Sequence, residues 1–339
     1  MLGIVSYGFY IPRYRIKTED IARYWGKNPE SIIGSLNIYE KAIGGIDEDT
    51  LTMSYQSATM ALADNIFDKT KISGVFIGSE SHPYVVNPTS TILADYLDIG
   101  NNYLAYDTQF ACKAATGVLI SSFALVKAGF CEYVLVSGSD KATGKPGDAL
   151  EYSAASAAAS FILGKKDVLL EYIDSSSFSS DTPDFWRRHG NKFPSHAGRF
   201  TGEPAYFFHV HGAVKALLKK TKRKPQDFSR IIFHMPNGKF PIRCALELGF
   251  SKEQIEDSLI VRKLGNAYSA CSLIGLCAVL DKSQPGDLIL LASYGSGAGS
   301  DAFVFRVTKE IEKRRKNFSE TIDVKQYVDY QKYLRLMGD

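Results

Sequence analysis

A cysteine at the expected start of a helix is the first residue whose type and position suggest chemistry. Cys112 follows Phe110 and Ala111 and precedes a run of small residues that predicts a helix. The unpaired N–H groups of a helix N-terminus carry partial positive charge, which lowers the pKa of a thiol there and raises its thiolate fraction. Free cysteines are also commonly inert core residues, and composition alone favours that alternative for Cys112.

Two further side chains follow apolar segments that are predicted to be strands. His234 follows residues 231–233 and precedes a Pro-Asn-Gly turn, and Glu80 follows residues 74–77. Histidine is the usual acid–base partner of a cysteine nucleophile, and a carboxylate beside an apolar pocket can act as a general base. The alternatives are a loop histidine without a role and a carboxylate that caps a turn.

The spacing of these residues indicates an internal duplication. Glu80 precedes Cys112 by 32 residues, and His234 precedes Asn266, at the start of another small-residue helix, by the same 32 residues. In a duplicated α/β fold the equivalent loops meet at the carboxyl ends of the strands, where such folds bind their ligands. We therefore expect these four side chains to share one site.

Short runs rich in Val, Ile and Leu alternate with long segments of small residues. This pattern is typical of strands covered by helices on both faces, so it predicts an α/β layered fold. The predicted strands are 3–7, 74–77, 133–137, 160–163, 169–173, 231–233, 288–293 and 302–307. We also expect a long structured loop over 174–204, an oxyanion-binding loop at 295–299 and a helical appendage after Val307.

The composition is that of a globular protein large enough for two domains or two fused halves. The 339 residues are 45% hydrophobic and 23% charged, and a net charge of +3 gives no reason to expect a nucleic-acid partner. Five cysteines without a Cys-x-x-Cys pair favour a reducing compartment, and no apolar run predicts a membrane span. We expect a cytoplasmic protein without a metal site. The basic clusters at 219–224 and 313–316 are expected to be solvated helix ends.

Together these residues carry a resemblance to a known family. The sequence resembles the archaeal 3-hydroxy-3-methylglutaryl-CoA synthases of the thiolase superfamily from Gly3 to about residue 308. The segments that carry it are 78–83, 110–114, 198–206, 234–241, 265–269 and 293–297. The resemblance implies a thiolase fold, in which two duplicated βαβαβαββ halves form a five-layered αβαβα architecture. It implies an N-terminal half at 1–166, a C-terminal half at 167–308 and a helical appendage at 309–339.

The same resemblance implies an acyltransferase of the mevalonate pathway of isoprenoid biosynthesis. Acetyl-CoA would acylate Cys112, Glu80 would remove a proton from the acetyl methyl group, and His234 would protonate or polarise the ketone of acetoacetyl-CoA. Water would then release 3-hydroxy-3-methylglutaryl-CoA, and no cofactor or metal is implied. The side chains expected around the acyl group are Ser153, Thr201, Asn266 and Ser296. Those expected at the phosphates of CoA are Arg199, Lys239 and Arg243.

The resemblance also has implications for partners. It implies a homodimer and, in archaea, a complex with acetoacetyl-CoA thiolase and a DUF35 zinc-ribbon/OB-fold protein. A ketoacyl synthase III-like condensing enzyme, which uses Cys, His and Asn, and a catalytically silent scaffold paralogue are the alternatives. The chain departs from the family's pattern at Ala114 and Ala115, over residues 154–159 and at Met235, which bears on its acyl preference.

Overall fold

The fold is built on a nine-stranded mixed sheet. A computed structural model describes residues 1–338, apart from the side chain of Arg199. The strands are β1 Gly3–Tyr10, β2 Tyr14–Lys17, β3 Glu40–Ile43, β4 Ile72–Gly78, β5 Leu104–Thr108, β6 Tyr133–Lys141, β7 Ser156–Gly164, β8 Leu170–Thr182, β9 Phe185–Trp186, β10 Ser195–His196, β11 Arg230–Phe233, β12 Leu288–Ala292, β13 Gly297–Val307 and β14 Gln326–Tyr327.

The α-helices cover this sheet and fill the space between its two halves. They are α1 Thr18–Tyr24, α2 Pro29–Leu36, α3 Thr50–Leu62, α4 Thr89–Tyr96, α5 Ala114–Ala128, α6 Phe208–Thr221, α7 Phe240–Glu247, α8 Lys252–Glu256, α9 Val261–Leu264, α10 Cys271–Lys282, α11 Ile311–Arg314, α12 Phe318–Thr321 and α13 Tyr330–Leu336.

The strand order of the large sheet follows one plan twice. The order is β11-β12-β13-β8-β1-β7-β6-β4-β5. In the N-terminal half, β4 pairs in parallel with β5 and β6, and β7 runs antiparallel to β6 and β1. In the C-terminal half, β11 and β12 are parallel, and β13 runs antiparallel to β12 and β8. Within the described residues the second half repeats the first except for an edge strand equivalent to β5, which confirms the predicted duplication.

Three hydrophobic clusters divide the molecule into layers. One joins α3 and α4 to the outer face of the N-terminal strands. A second contains the side chains of α5 and α10 and lies between the two halves of the sheet. The third joins α6 and α7 to the outer face of the C-terminal strands. The order helix, sheet, helix, sheet, helix is the five-layered architecture that the resemblance implies.

The strands read as continuous apolar runs because both of their faces are covered. In β1, Ile4 belongs to the central cluster and Val5 to the cluster under α3. In β12, Leu291 belongs to the central cluster and Leu290 to the cluster under α6. Successive side chains point to opposite faces of a sheet, so a strand between two helical layers needs apolar residues at every position.

One helix, Ala111–Ala128, is long and apolar enough by length and composition to cross a membrane. In the fold 56% of this segment is buried, because α5 lies in the central layer and packs against both halves. A core helix covered on several sides has the same composition as a membrane span.

All eight predicted strands are present, and the structure adds β5 and a small sheet of β14, β2 and β3. The pattern does not predict β5 because that edge strand is only partly buried. The prediction of a loop over 174–204 is wrong for its first part, since β8 continues to Thr182 along β13. Its serines bond to neighbouring elements, as Ser176 does to the carbonyl of Ala213 and Ser177 to Asp301.

The segment after Val307 is only partly helical, since β14 pairs in parallel with β2. The prediction that the cluster at 313–316 is a solvated helix end is wrong for Arg314. This arginine is 6% exposed and donates to the carbonyls of Val5 and Asp167, both at 2.6 Å. These carbonyls satisfy hydrogen-bond donors of the guanidinium, so the side chain can be buried. The same hydrogen bonds hold the C-terminal segment against the rest of the fold.

Candidate active site

Cys112 lies in the turn between β5 and α5. The helix begins two residues later, at Ala114, and the residue before the cysteine, Ala111, has a φ of 42°. Left-handed backbone is unfavourable for a residue with a Cβ atom, and such positions cluster at functional sites. The turn brings the thiol to 3.3 Å from Oε1 of Glu80, to which it can donate a hydrogen bond. The two candidates from the N-terminal half are therefore in contact.

A buried carboxylate that the sequence did not single out, Asp140, fixes the position of Glu80. Its Oδ1 accepts hydrogen bonds from the backbone N–H of Glu80 at 2.8 Å and from the hydroxyls of Ser79 and Ser81 at 2.7 Å. Its Oδ2 accepts from the N–H of Ser269 at 2.8 Å, so Asp140 also ties the two halves together. An acidic residue at the polar end of a predicted strand, directly after Ser139, was the signal that could have found it.

The buried pair of Glu80 and Cys112 resists ionisation. Burial, reinforced by the Asp140 carboxylate, raises the pKa of Glu80 to about 8. Burial, together with Glu80 and Asp140, raises the pKa of the Cys112 thiol well above its ordinary value. The prediction that the helix N-terminus lowers this pKa is therefore wrong for the unacylated site, because burial beside carboxylates outweighs the helix dipole.

A buried ion pair next to the nucleophile joins the two halves. Lys113 Nζ lies 3.1 Å from Oδ2 of Asp301 in β13, and the two side chains are 6% and 1% exposed. The same carboxylate accepts hydrogen bonds from Thr116 at 2.9 Å and from Ser177 at 2.8 Å. Asp301 therefore has a cationic and a hydroxyl partner at the start of α5 and a hydroxyl partner in the neighbouring strand β8.

Removing the cation of this pair should destabilise the fold strongly. We expect Lys113→Met to lower the free energy of unfolding by about 3 to 5 kcal/mol, because it leaves Asp301 buried and without a counter-charge. Urea unfolding measures the change, and Lys113→Met combined with Asp301→Leu should recover part of it. Lys220→Met, which breaks the surface pair with Asp174 at 2.7 Å, is the matched control and should cost less than about 1 kcal/mol. Equal losses for the two single variants would contradict the prediction.

His234 follows β11 directly and is almost fully buried. The hydroxyl of Tyr206 donates to its carbonyl oxygen at 2.7 Å, which fixes the backbone. Burial lowers the pKa of the imidazole to about 3, so the ring is neutral, and no described residue bonds to its Nδ1. Tyr294, whose ring centroid is 6.3 Å from that of His234, also lies near Cys112. The Nδ1 atom of the ring is therefore available to a ligand.

Asn266 and Ser153 are adjacent through the backbone. The N–H of Asn266 donates to the carbonyl of Ser153 at 2.7 Å, and Ala154 packs against Cys112 in a small apolar cluster. Oδ1 of Asn266 accepts from the N–H of Tyr268 at 3.0 Å, which leaves its Nδ2 group as a donor. These contacts bring both residues to the neighbourhood of the cysteine.

A second buried carboxylate, Asp184, holds the glycine-rich loop 295–299. Its Oδ2 accepts from the hydroxyl of Tyr294 at 2.7 Å and its Oδ1 from the N–H of Gly297 at 2.8 Å. The first and last glycines of the loop exchange two backbone hydrogen bonds of 2.8 Å. These three amides already have acceptors within the protein, which leaves Ser296 and Ala298 in the loop, and of these two Ser296 lines the cavity beside Glu80.

A cavity of about 370 Å³ opens beside Glu80. Its lining residues are Glu80, Gln109, Phe110, Ala111, Phe185, Trp186, Arg187, Ser296 and Gly297. Cys112 lies beneath it, in contact with Phe185. The sequence did not single out the aromatic and cationic residues of β9 and the following turn, because no pattern in that segment indicates which side chains face the site.

The other predicted binding residues lie away from this cavity. Thr201 donates from its hydroxyl to the carbonyl of Asp184 at 3.5 Å. Arg243 pairs with Glu203 at 2.5 Å and Glu247 at 2.7 Å. Lys239 is exposed, and neither Lys239 nor Arg243 is among the residues that line the cavity. The prediction for Arg199 concerns a side chain outside the described part of the structure.

Two of the departures from the family's pattern, Ala115 and Met235, face the core, whereas Ala154 packs against Cys112. Ala115 is fully buried, and a Cβ atom added at Gly138 would come 2.8 Å from its methyl group. The alanine therefore occupies space that a glycine in the neighbouring strand leaves free. Met235 is also fully buried and belongs to the central cluster. Neither Ala115 nor Met235 lines the cavity beside Glu80.

Comparison with known proteins identifies the family. Residues 218–307 match the family described as 3-oxoacyl-[acyl-carrier-protein (ACP)] synthase III C terminal. The hydroxymethylglutaryl-CoA synthase of Archaeoglobus fulgidus is 50% identical over 337 residues, which cover 99% of this chain and 98% of the relative. The chain belongs to the hydroxymethylglutaryl-CoA synthase family.

Other synthases agree with this assignment. The hydroxymethylglutaryl-CoA synthase of Methanocaldococcus jannaschii is 49% identical over 338 residues, with 99% of this chain and 98% of the relative covered. A crystal structure of an HMG-CoA synthase complexed with CoA superposes with a TM-score of 0.90 at 23% identity, covering 100% of this chain and 90% of that one. The thiolase fold expected of a synthase is confirmed. In the described part of this synthase-family chain, no group of three or more His, Cys, Asp and Glu side chains could hold a metal ion.

Proposed function

We propose that this chain condenses acetyl-CoA with acetoacetyl-CoA to give 3-hydroxy-3-methylglutaryl-CoA and CoA, as the mevalonate pathway requires. The observation that carries the proposal is the 3.3 Å contact between the Cys112 thiol and the Glu80 carboxyl group. Two groups this close can act on the same acetyl group, which supports the assignment of Cys112 as the nucleophile and Glu80 as the base. Membership of the synthase family supports the proposal, and a related synthase has been solved with CoA.

The first step acetylates Cys112. Its sulfur attacks the carbonyl carbon of acetyl-CoA, the bond between that carbon and the CoA sulfur breaks, and the proton that the thiol loses passes through solvent to the leaving CoA. The thioester oxygen becomes negative during the attack and needs a hydrogen-bond donor, for which Ser296 is the candidate on the cavity wall.

The second step forms the carbon–carbon bond. Ionised Glu80 removes a proton from the methyl group of acetyl-Cys112, and the resulting enolate attacks the ketone carbon of acetoacetyl-CoA. His234 has a pKa near 3, so we propose that it polarises the ketone as a neutral hydrogen-bond donor rather than protonating it as an imidazolium. Glu80 then returns its proton to the new alkoxide, which becomes the 3-hydroxyl group.

The third step is hydrolysis of the acyl-cysteine. Glu80 takes a proton from water, the hydroxide attacks the thioester carbon, and the carbon–sulfur bond breaks. The cysteine thiolate recovers the proton from Glu80, and the acid that is released loses its own proton to solvent. The free thiol and the carboxylate base are thereby restored.

We assign the binding residues as part of the same proposal. Ser153, Thr201, Asn266 and Ser296 surround the acyl group, and Arg199, Lys239 and Arg243 bind the phosphates of CoA. The backbone contacts of Ser153 with Asn266 and the position of Ser296 on the cavity wall support the first group. For Arg243, phosphate binding requires the guanidinium to exchange Glu203 or Glu247 for the ligand.

A labelling experiment tests the proposal. The protein is incubated with radiolabelled acetyl-CoA and divided into two portions. The first portion is denatured, and the second is mixed with acetoacetyl-CoA. We expect label on the peptide that contains Cys112 in the first portion and labelled six-carbon acyl-CoA in the second. Wild-type protein that acquires no label would overturn the proposal and favour the silent scaffold.

The raised pKa of Glu80 predicts how the condensation rate depends on pH. Only ionised Glu80 can accept the methyl proton, so the single-turnover rate of acetylated enzyme should rise with pH to a midpoint of about 8 or above, because acetylation removes the thiol hydrogen bond that lowers this pKa. Rapid-quench measurements from about pH 6 to pH 9 bracket that midpoint. A rate that stays constant over this whole range would contradict the assignment of Glu80 as the base, because a glutamate with the ordinary pKa of 4.5 is already ionised there.

A ketoacyl synthase III-like activity is the second candidate, since residues 218–307 match a domain of that enzyme family. Such an enzyme would use Cys112, His234 and Asn266 and would not need Glu80. Condensation that survives undiminished in Glu80→Ala would favour it.

We propose that the chain forms a homodimer through β5. This strand ends the large sheet, its outer edge is unpaired within the described chain, and Leu104 on it is 38% exposed. An open edge of this kind is suited to pairing with a second copy. Light scattering should give twice the chain mass of 37.4 kDa, and a monomer mass would contradict the proposal.

We further propose a complex with acetoacetyl-CoA thiolase and a DUF35 zinc-ribbon/OB-fold protein in the cytoplasm. Most of the apolar residues after Val307 are buried against the chain itself. Val324 and Tyr327, which are 69% and 46% exposed, are the apolar side chains of this segment that a partner could contact. Co-elution of the three purified proteins tests the complex, and Val324→Asp should weaken it. Separate elution of the three would contradict it.

The proposed boundaries of the two halves are 1–166 and 167–308, with the appendage at 309–339. They are supported by the break between β7 and β8, and by the return of the same strand order after it.

A further inference from the structure

A second cavity lies on the other side of Glu80. Its volume is about 220 Å³, and its lining residues are Glu80, Ser81, His82, Lys141, Ala142, Thr143, Arg187, Lys192, Pro194 and Tyr268. It shares Glu80 and Arg187 with the first cavity. The side chain of Arg187 therefore forms part of the wall between the two cavities.

Arg187 carries a charge that no carboxylate in the described chain balances at ion-pair distance. Its Nη2 donates to the carbonyl of Glu80 at 2.8 Å and its Nη1 to the carbonyl of Asn191 at 3.5 Å. Arg230, by contrast, pairs with Asp257 and Asp287. A guanidinium has five N–H donors in a planar fork that fits a carboxylate, so Arg187 keeps donors for a ligand.

Lys141 adds a second such charge to the cavity wall. Its Nζ donates to the carbonyls of Gly45 at 2.6 Å and Glu48 at 2.9 Å, and no carboxylate of the described residues lies within ion-pair distance. Two cations held by backbone carbonyls make this cavity suitable for a small anion.

The reactive pair lies between the two cavities. Cys112 packs against Ala142 and Tyr268, which line the second cavity, and against Phe185, which lines the first. When the CoA end of the substrate occupies the first cavity, the acyl carbon on Cys112 is reached by water from the other side. Hydrolysis also creates a carboxylate at that carbon.

We propose that the second cavity is the hydrolysis subsite, in which Arg187 binds the carboxylate that forms when water cleaves the acyl group from Cys112. This inference rests on the proposed function. Water donates its oxygen to the acyl carbon and one proton to Glu80, the carbon–sulfur bond breaks, and Glu80 returns that proton to the thiolate. The second proton of the water passes from the new carboxylic acid to solvent, which leaves the carboxylate. The guanidinium interacts with the negative charge as it develops on the acyl oxygens, so it should favour this step more than acetylation.

Accumulation of the acyl-enzyme tests the proposal. Wild-type protein and Arg187→Met are each mixed with acetyl-CoA and acetoacetyl-CoA, and the reactions are quenched at intervals. After digestion, mass spectrometry measures the mass of the peptide that contains Cys112. We expect Arg187→Met to accumulate the six-carbon acyl adduct, with its discharge slowed about tenfold or more, while acetylation slows far less. Arg187→Lys, which keeps the charge but loses the fork, should accumulate less of the adduct.

Arg188→Met is the matched control, because this neighbouring arginine is also exposed and lines neither cavity. Discharge in Arg187→Met as fast as in Arg188→Met would overturn the inference and leave the proposed function standing. A raised KM for acetyl-CoA without adduct would also overturn it, since Arg187 would then bind CoA. Wild-type protein without any acetyl-Cys112 would overturn both proposals.

Discussion

Glu80→Gln should accumulate acetyl-Cys112 that does not go on to condense with acetoacetyl-CoA. We expect acetylation to go to completion and condensation to fall roughly 10³-fold, because the amide occupies the same space but cannot accept a proton. Acetylation survives because the attack of Cys112 on acetyl-CoA removes no proton from carbon, so this step does not require an ionised carboxylate at position 80. Rapid-quench experiments that follow labelled enzyme after addition of acetoacetyl-CoA measure both steps.

Glu132→Gln is the control for this variant, since Glu132 is an exposed glutamate at the start of β6. Its rates of acetylation and condensation should match the wild type. If Glu80→Gln condensed at the wild-type rate, Glu80 would not be the base, and the ketoacyl synthase III-like activity would become the better candidate.

Cys112→Ala should abolish the covalent intermediate. We expect no label from acetyl-CoA and a loss of turnover of roughly 10⁵-fold, because the acetyl group must be held next to Glu80 for its methyl proton to be removed. Binding of the CoA esters should persist, since the thiol is only a small part of the contact surface. Label retention after denaturation and isothermal titration with acetyl-CoA measure the two effects.

Cys131→Ala is the matched control. Cys131 is also buried and free, but its thiol donates only to the backbone carbonyl of Ser73. This variant should label and turn over as the wild type does. Label that persisted in Cys112→Ala would show that another nucleophile accepts the acetyl group.

Glu80 could be predicted from patterns along the sequence, whereas the contacts of Asp140 could not. Glu80 stands directly after a predicted strand, and its spacing to Cys112 repeats in the second half of the chain. Asp140 contacts the N–H of Glu80 across 60 residues and that of Ser269 across 129 residues. No spacing along the chain indicates such contacts, because they depend on how two strands and a helix end meet.

Eight strands of the two halves, their duplication, and Glu80, Cys112, His234 and Asn266 as candidate site residues were predicted from the sequence. These predictions follow from apolar runs, motif chemistry and a repeated spacing along the chain. The edge strand β5, the positions of Asp184 and Arg187 at the site, and the pKa shifts of Glu80, Cys112 and His234 required the tertiary structure. The reason is physical, since pKa shifts and cavity walls arise from burial among groups that are distant along the chain.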